Sequence, residues 1–189
     1  CSKTEMIMSD LHVLAANPKK SFGSDPRDVE YEYTWAKTVP SGEAPQGRFS
    51  HASVVVPYLP NSTAAVNSPE HLLHAYTRVL IFGGVGYNDD MMGSVVSLRI
   101  NHSSPGLNSQ HRGANSSEFS HYSHWEDVLE DGPSPSTRQG HTMVHLPDTN
   151  MIVMFGGSKT SGPGAQRNSC CGDVWVMRLT GAELLQESS

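Results

Sequence analysis

The chain repeats part of its own sequence. Residues 35–54 and 125–144 align without a gap, and both contain the same six chemically distinctive residue types in the same order. The matched pairs are Trp35/Trp125, Gly42/Gly132, Pro45/Pro135, Arg48/Arg138, His51/His141 and Val54/Val144. An internal repeat indicates that one supersecondary unit is built more than once, with neighbouring units burying each other's apolar faces. The fold is therefore constrained to a repeat architecture.

Each repeat is followed by the same pattern of short apolar runs. Residues 78–84 and 151–157 are rich in β-branched and aromatic side chains and end in a glycine doublet, which predicts buried strands. Residues 94–100 and 173–179 alternate apolar and polar side chains, which predicts a further strand in each unit. Residues 10–14 have the character of the same strand in an earlier unit. The sequence thus predicts an all-β fold whose units run strand, strand, Gly-Gly, strand and a tryptophan-bearing strand.

Four short strands per unit are typical of a β-propeller blade. The Pro-x-x-Arg-x-x-His motif and the apolar run that ends in Gly-Gly resemble the kelch repeat family over residues 10–179. The resemblance implies a kelch-type propeller with units at approximately 1–36, 45–128 and 135–179, about two blades plus part of another. Because a closed propeller typically has four to eight blades, we expect a fragment of a longer ring. The remaining blades would come from the parent chain or from another chain.

The resemblance also implies which residues form the framework. Glycine doublets allow positive φ and close approach of neighbouring backbone, and tryptophans cover adjacent sheets while their N–H groups find acceptors. The arginines would donate to carbonyl groups within or between blades, and the repeated histidines would be hydrogen-bonded framework residues. The framework set is Trp35, Arg48, His51, Gly83, Gly84, Trp125, Arg138, His141, Gly156 and Gly157.

Three long polar segments interrupt the strands. We predict loops at 57–77, 101–121 and 158–172, all rich in Ser, Asn, Pro or Gly. Loops on a rigid scaffold commonly contact partners. The expected function is a protein–protein interaction module, a scaffold or adaptor within a larger protein, that binds protein partners through these loops. The alternatives are a glycosylated extracellular or secreted kelch ectodomain and, more weakly, a non-catalytic substrate-binding propeller of a multidomain enzyme.

The cellular compartment depends on sequons and cysteines. Asn-x-Ser/Thr sequons occur at Asn61, Asn101 and Asn115 and would permit glycosylation in a secreted protein. The adjacent Cys170 and Cys171 are either two loop thiols or a strained vicinal disulfide. With only three cysteines, the cytoplasm is slightly favoured, and a secreted or cell-surface location is the alternative.

Composition and motifs argue against other functions. The net charge of -6, with no basic run, argues against nucleic-acid binding. No apolar stretch approaches the roughly 20 residues of a membrane-spanning helix. The pairs His71-x-x-His74 and His121-x-x-His124 lack the further ligands that a metal site needs. No catalytic or nucleotide-binding motif stands in its required context, so we expect neither an enzyme nor a cofactor.

Overall fold

The computed structural model describes residues 10–18, 30–58, 76–101, 123–128, 130–146, 149–160 and 168–179. Within these ranges the chain consists almost wholly of antiparallel strands, with a single turn of 3₁₀ helix at Tyr87–Asp89. The all-β fold predicted from the sequence is confirmed. None of the described helical structure is long and apolar enough to cross a membrane.

Two strands form the N-terminal sheet. Strand β1, Leu11–Pro18, pairs with β2, Tyr31–Thr38, and places Leu14 opposite Trp35. The alternation of aromatic and polar side chains along 31–35 suits a strand with a solvated face.

Four strands form the central sheet. They are β3 (Ala52–Tyr58), β4 (Tyr76–Phe82), β5 (Val95–Asn101) and β6 (Ser123–Asp127), paired in chain order. Strand β6 lies on the outer edge of β5, where Trp125 is opposite Leu98. This sheet has the strand order that the sequence predicts for one unit.

Three strands form the C-terminal sheet. Strands β7 (Thr142–Leu146) and β8 (Met151–Phe155) pair with each other, and β11 (Val174–Arg178) pairs with the other side of β8. Between β8 and β11 the chain forms a separate antiparallel pair, β9 (Ser158–Thr160) and β10 (Asn168–Cys170). The segment 158–172, predicted as a loop, therefore contains two strands, because its ends pair with each other as they leave and rejoin the sheet.

The C-terminal sheet repeats the first three strands of the central sheet residue for residue. Phe82 lies opposite Ala52 and Val95 in the central sheet, and Phe155 lies opposite Thr142 and Val174 in the C-terminal sheet. This register makes β7, β8 and β11 the counterparts of β3, β4 and β5. We call the sheet face that carries Phe82 or Phe155 the front face and the opposite one the back face.

The core lies between these two sheets. Directly opposed residues share a face, so Leu80, Phe82 and Val95 project from the front of the central sheet, whereas Ile152 and Met154 project from the back of the C-terminal sheet. All five are buried in one cluster with Val56. Burial of one such side chain contributes about 1.5–3 kcal/mol relative to exposure. The front of one unit thus packs on the back of the next.

Candidate functional site

A buried arginine closes the C-terminal unit. Arg138 has only 1% of its surface exposed. Its Nε and Nη2 donate to the main-chain carbonyl and hydroxyl oxygens of Ser136, and its Nη1 donates to the carbonyl of Gly156 at 3.0 Å. A buried cation needs such saturation, because an unpaired charge in the interior is costly. The arrangement fixes the segment before β7 against the glycine doublet after β8.

Asp173 completes the arginine's set of partners. Arg138 Nη1 and Nη2 donate to its two carboxylate oxygens at 2.7 and 2.9 Å, the bidentate geometry of a strong pair. The indole Nε1 of Trp175 donates to the same carboxylate at 2.5 Å. These hydrogen bonds, from Arg138 first and Trp175 second, hold the pKa of Asp173 well below its usual range, and the carboxylate raises the pKa of Arg138. One acid therefore connects β11 to the arginine.

The central unit has the same arginine, but no acid pairs with it among the described residues. Arg48 Nη1 donates to Gly83 O and Nε donates to Gln46 O, each at 3.3 Å, repeating the bonds of Arg138 to Gly156 and Ser136. The position that corresponds to Asp173 is Ser94, one residue before Val95 in the shared register. Burial lowers the pKa of Arg48. The two units share the arginine framework and differ in its charge partner.

Ser94→Asp is expected to supply the missing partner. A carboxylate at 94 would stand toward Arg48 as Asp173 stands toward Arg138, and a half-exposed ion pair contributes about 0.5–1 kcal/mol. Denaturant unfolding at neutral pH should show this gain, and Ser94→Asn, which has the same shape without charge, should show little. A loss of stability in Ser94→Asp would contradict the equivalence of the two positions.

The glycine doublets permit close contact between units. Gly83, Gly84, Gly156 and Gly157 all have positive φ. A Cβ on Gly83 would lie 2.5 Å from the carbonyl oxygen of Arg138 in the next unit, and that carbonyl accepts the Gly84 N–H at 2.9 Å. Among the described residues, a Cβ on Gly156 would meet nothing nearer than Cys171 O at 3.7 Å. The first doublet is an inter-unit contact, whereas the second doublet has open space at the corresponding place.

The repeated histidines have different surroundings. His141 is buried, with its ring edge-on to Phe82 at 5.4 Å between centroids, and a Cβ on Gly83 would touch its Cε1. His51 is exposed. Burial, and then the charge of Arg138, lower the pKa of His141. A neutral imidazole therefore packs beneath the preceding unit.

Acidification should lower the free energy of unfolding of the wild-type protein, because it favours protonation of His141. The pKa of this group is lower in the folded chain than its ordinary 6.5, so the unfolded state binds the proton first. The contribution of neutral His141 to the free energy of unfolding is complete above pH 6.5. It is lost as the pH falls from there through the pKa of the folded state, and the free energy of unfolding then changes by at most about 1.4 kcal/mol per pH unit. Unfolding free energies between pH 7 and 5 should fall less steeply in His141→Gln; equal slopes would contradict this assignment.

The tryptophans expected in the framework are not equivalent in their burial. Trp125 is 8% exposed, whereas Trp35 is 69% exposed. Both lie opposite a leucine on the neighbouring strand. Ser41 pairs with the outer edge of β6 through two backbone hydrogen bonds, donating to Ser123 O and accepting from Trp125 N–H. The expected covering role of tryptophan is therefore not found for Trp35 among the described residues.

Sequence reasoning missed a polar cluster on the front of the central sheet. Arg78 and Arg99 lie over the ring of buried Tyr76, at 5.3 and 4.4 Å from its centroid. Glu126 bridges both guanidinium groups, at 3.2 Å from Arg78 and 3.7 Å from Arg99. The only sequence signal is their strand positions, which share a face once the register of β4, β5 and β6 is known.

The front face of the C-terminal sheet is apolar and open. Its exposed side chains correspond by register to residues that are covered in the central sheet. More than half of each surface is accessible at Val144, Phe155, Val174 and Val176. The counterparts Phe82 and Val95 are buried by the next unit. The described structure therefore has one covered front face and one uncovered front face.

A cavity of about 430 Å³ opens between the front of the central sheet and the back of the C-terminal sheet. It lies alongside β11, and residues 130–135 form part of its lining. Its apolar lining includes Phe82, Val95, Ile152, Met154, Trp175 and Met177.

The remaining sequence predictions fall partly outside the described residues. Asn61, Asn115, His71, His74 and His121 lie outside the described residues. So do most of the predicted loops 57–77 and 101–121, whose ends belong to strands β3, β4 and β5. Asn101 ends β5, and its Oδ1 accepts a hydrogen bond from Arg99 Nε at 2.9 Å. His124 Nδ1 lies 2.8 Å from Ser41 Oγ. Cys170, which is exposed, and Cys171, which is half-buried, are free thiols.

No three His, Cys, Asp or Glu side chains of the described ranges are grouped so as to hold a metal ion. Comparison of the chain with protein-family models and with curated protein sequences finds no match.

Proposed function

We propose that the chain is a protein-interaction module built from stacked, repeated β-sheets of the kelch propeller type. It would serve as a scaffold or adaptor within a larger protein. The observation that carries the proposal is the uncovered front face of the C-terminal sheet. Its counterpart on the central sheet is covered by the next unit, so the same surface recurs without a cover in the described part of the chain.

The chemistry of this face favours a protein contact. Val144, Phe155, Val174 and Val176 form a contiguous patch, because they occupy same-face positions on three neighbouring strands. Contiguous exposed apolar patches on folded proteins commonly mark interaction surfaces. The matching cover within this chain is a sheet back face that presents Met, Ile and Trp side chains. The partner we propose is accordingly another β-sheet unit.

The glycine doublet at the same end supports a further unit. In the first contact between units, Arg138 O accepts the Gly84 N–H, and Gly83 makes room for that carbonyl. At Gly156, the described chain leaves room for a Cβ and more. A following unit with its own arginine segment would find the same docking position there.

Site-specific photo-crosslinking tests the proposal. Phe155 is replaced with p-benzoyl-phenylalanine in the protein produced in its native cells, and Lys159, an exposed residue of β9, receives the same group as the control. We expect adducts from position 155 with another protein, whose crosslinked peptide is a β-strand with large apolar residues; adducts only within the parent chain would show that a further unit covers this face and that it is not the partner surface. Adducts of equal yield and identity at both positions, or none at 155, would refute the assigned surface.

The sequons and the cysteine pair define two versions of this module. An adaptor in a reducing compartment would have free Cys170 and Cys171 and no glycan, whereas a secreted ectodomain would be glycosylated. Intact mass of the native protein, before and after deglycosylation and thiol alkylation, separates the two. A mass shift on deglycosylation would favour the ectodomain, and alkylation of both thiols without glycan would favour the adaptor.

A further inference from the structure

We propose that the outer edge of β11 and the cavity beside it bind an extended polypeptide segment as a fourth antiparallel strand. This segment carries a tryptophan opposite Met177, followed by a carboxylate residue. The site is a sheet edge and is separate from the front face discussed above. The proposal rests on the proposed function only in treating the two sheets as repeats of one unit.

The backbone polarity of β11 shows which groups a fourth strand would meet. Leu179 N–H donates to Asn150 O, and Asp173 O accepts from Gly156 N–H, so both residues bond toward β8. Since bonding direction alternates along an antiparallel strand, Val176 and Arg178 direct their N–H and C=O groups to the other side. Within the described residues β11 pairs with β8 alone. The outer edge thus offers a row of hydrogen-bonding groups of the kind that strand addition uses.

The central sheet shows this edge in its occupied form. Strand β5 is the counterpart of β11, and β6 lies along it with Ser97 opposite Glu126 and Arg99 opposite His124. By the shared register, Ser97 and Arg99 correspond to Val176 and Arg178. The docking geometry that we propose for β11 is therefore already present once in the same chain.

The cavity beside β11 is the reason for expecting a tryptophan in the added strand. In the N-terminal sheet and in the central sheet a tryptophan lies directly opposite a leucine, as Trp35 opposite Leu14 and Trp125 opposite Leu98. The residue of β11 that corresponds to Leu98 is Met177, on the back face that looks toward the central sheet. Met177 lines the cavity of about 430 Å³, which has the apolar lining and size to take an indole ring. Methionine adapts readily to such a neighbour.

The polar cluster around Tyr76 is the reason for expecting a carboxylate after that tryptophan. Glu126 follows Trp125 and reaches Arg99 at 3.7 Å on the front face. Arg178, which is exposed, occupies the position of Arg99 on β11. A carboxylate that follows the docked tryptophan would reach Arg178 in the same way. The second arginine of the cluster, Arg78, is replaced by Met151, so this contact is simpler than that in the central sheet.

The test supplies the strand in tethered form. Residues 123–128, Ser-His-Trp-Glu-Asp-Val, are appended after Ser189 through a flexible Gly-Ser linker, which brings the segment to millimolar effective concentration. We expect Tm to rise by about 3 °C or more and amide exchange of Val176 and Arg178 to slow at least tenfold. The matched control carries Trp125→Ser in the appended copy only, and it should lose most of both effects.

Variants of the edge separate strand addition from other causes. Val176→Pro removes an outward N–H at a position where proline is tolerated on an edge strand, so the appended segment should then give no shift. Val176→Thr keeps the N–H and should retain the shift. An unchanged Tm and unchanged exchange with the native segment, or equal effects with both segments, would overturn the proposal.

Two further results are decisive. If the unmodified chain dimerises and protects the same two amides as its concentration rises, the occupant is a second copy and the proposed occupant is wrong. Failure of the appended strand, with crosslinks at position 155 intact, would reject the edge site alone. Loss of those crosslinks, with strand addition intact, would reject the front-face proposal alone.

Discussion

Replacing Phe82 with alanine is expected to lower the free energy of unfolding by about 3–5 kcal/mol, the range for a large aromatic side chain removed from a core. Phe82 is 2% exposed, belongs to the cluster between the central and C-terminal sheets, and contacts the His141 ring. Its counterpart Phe155 is 55% exposed. Phe155→Ala should therefore cost less than about 1 kcal/mol.

Urea unfolding of the two variants, followed by circular dichroism, measures this difference. The two variants are a matched pair, because Phe82 and Phe155 end equivalent strands and each precedes a glycine doublet. A small loss in Phe82→Ala, or losses of equal size in both variants, would contradict the stacking of the two sheets.

The second large effect is expected from Arg138→Met. This change keeps much of the aliphatic stem but removes the hydrogen bonds to Ser136, Gly156 and Asp173 from a fully buried position. We expect a loss of about 2–4 kcal/mol at pH 7. In the part of the chain that the structure describes, Arg48 has two longer hydrogen bonds and no carboxylate partner, so Arg48→Met should lower the free energy of unfolding clearly less.

The dependence of this loss on pH identifies the carboxylate. The pKa of Asp173 is lowered in the folded protein. The contribution of its carboxylate to the free energy of unfolding is therefore present above the ordinary aspartate pKa of about 3.9 and is lost as the pH falls further. The difference between wild type and Arg138→Met should therefore narrow in strong acid. A difference that stays constant down to pH 2 would exclude Asp173 as the partner that matters.

Several features of the fold were predictable because they depend on local sequence. The strand order follows from apolar periodicity and from the glycine doublets, which mark where each buried strand ends. The repeat alignment pairs Arg48 with Arg138, and the structure gives both the same bonds to a glycine carbonyl and to the residue two positions earlier. Short-range patterns of this kind persist in the fold because each unit is built from neighbouring segments.

Other features depend on register and on insertions, which the alignment does not supply. Asp173 already corresponds to Ser94 in the predicted strands 94–100 and 173–179, but its pairing with Arg138 emerges only from the fold. The Tyr76 cluster requires the faces of three strands to be known. The exposure of Trp35 reflects which sheets pack on one another, and β9 and β10 form inside a segment whose composition is typical of a loop.

Replacing Gly83 and Gly156 separately with alanine tests most directly the claim that the units are repeats, stacked front to back, with one position left open. Both residues have positive φ, which costs an alanine about 1–2 kcal/mol. Only at Gly83 would the added Cβ also meet a carbonyl oxygen of the next unit, at a distance of 2.5 Å. We expect the free energy of unfolding to fall by about 3 kcal/mol or more in Gly83→Ala and by about 1 kcal/mol in Gly156→Ala. Equal losses would contradict that claim.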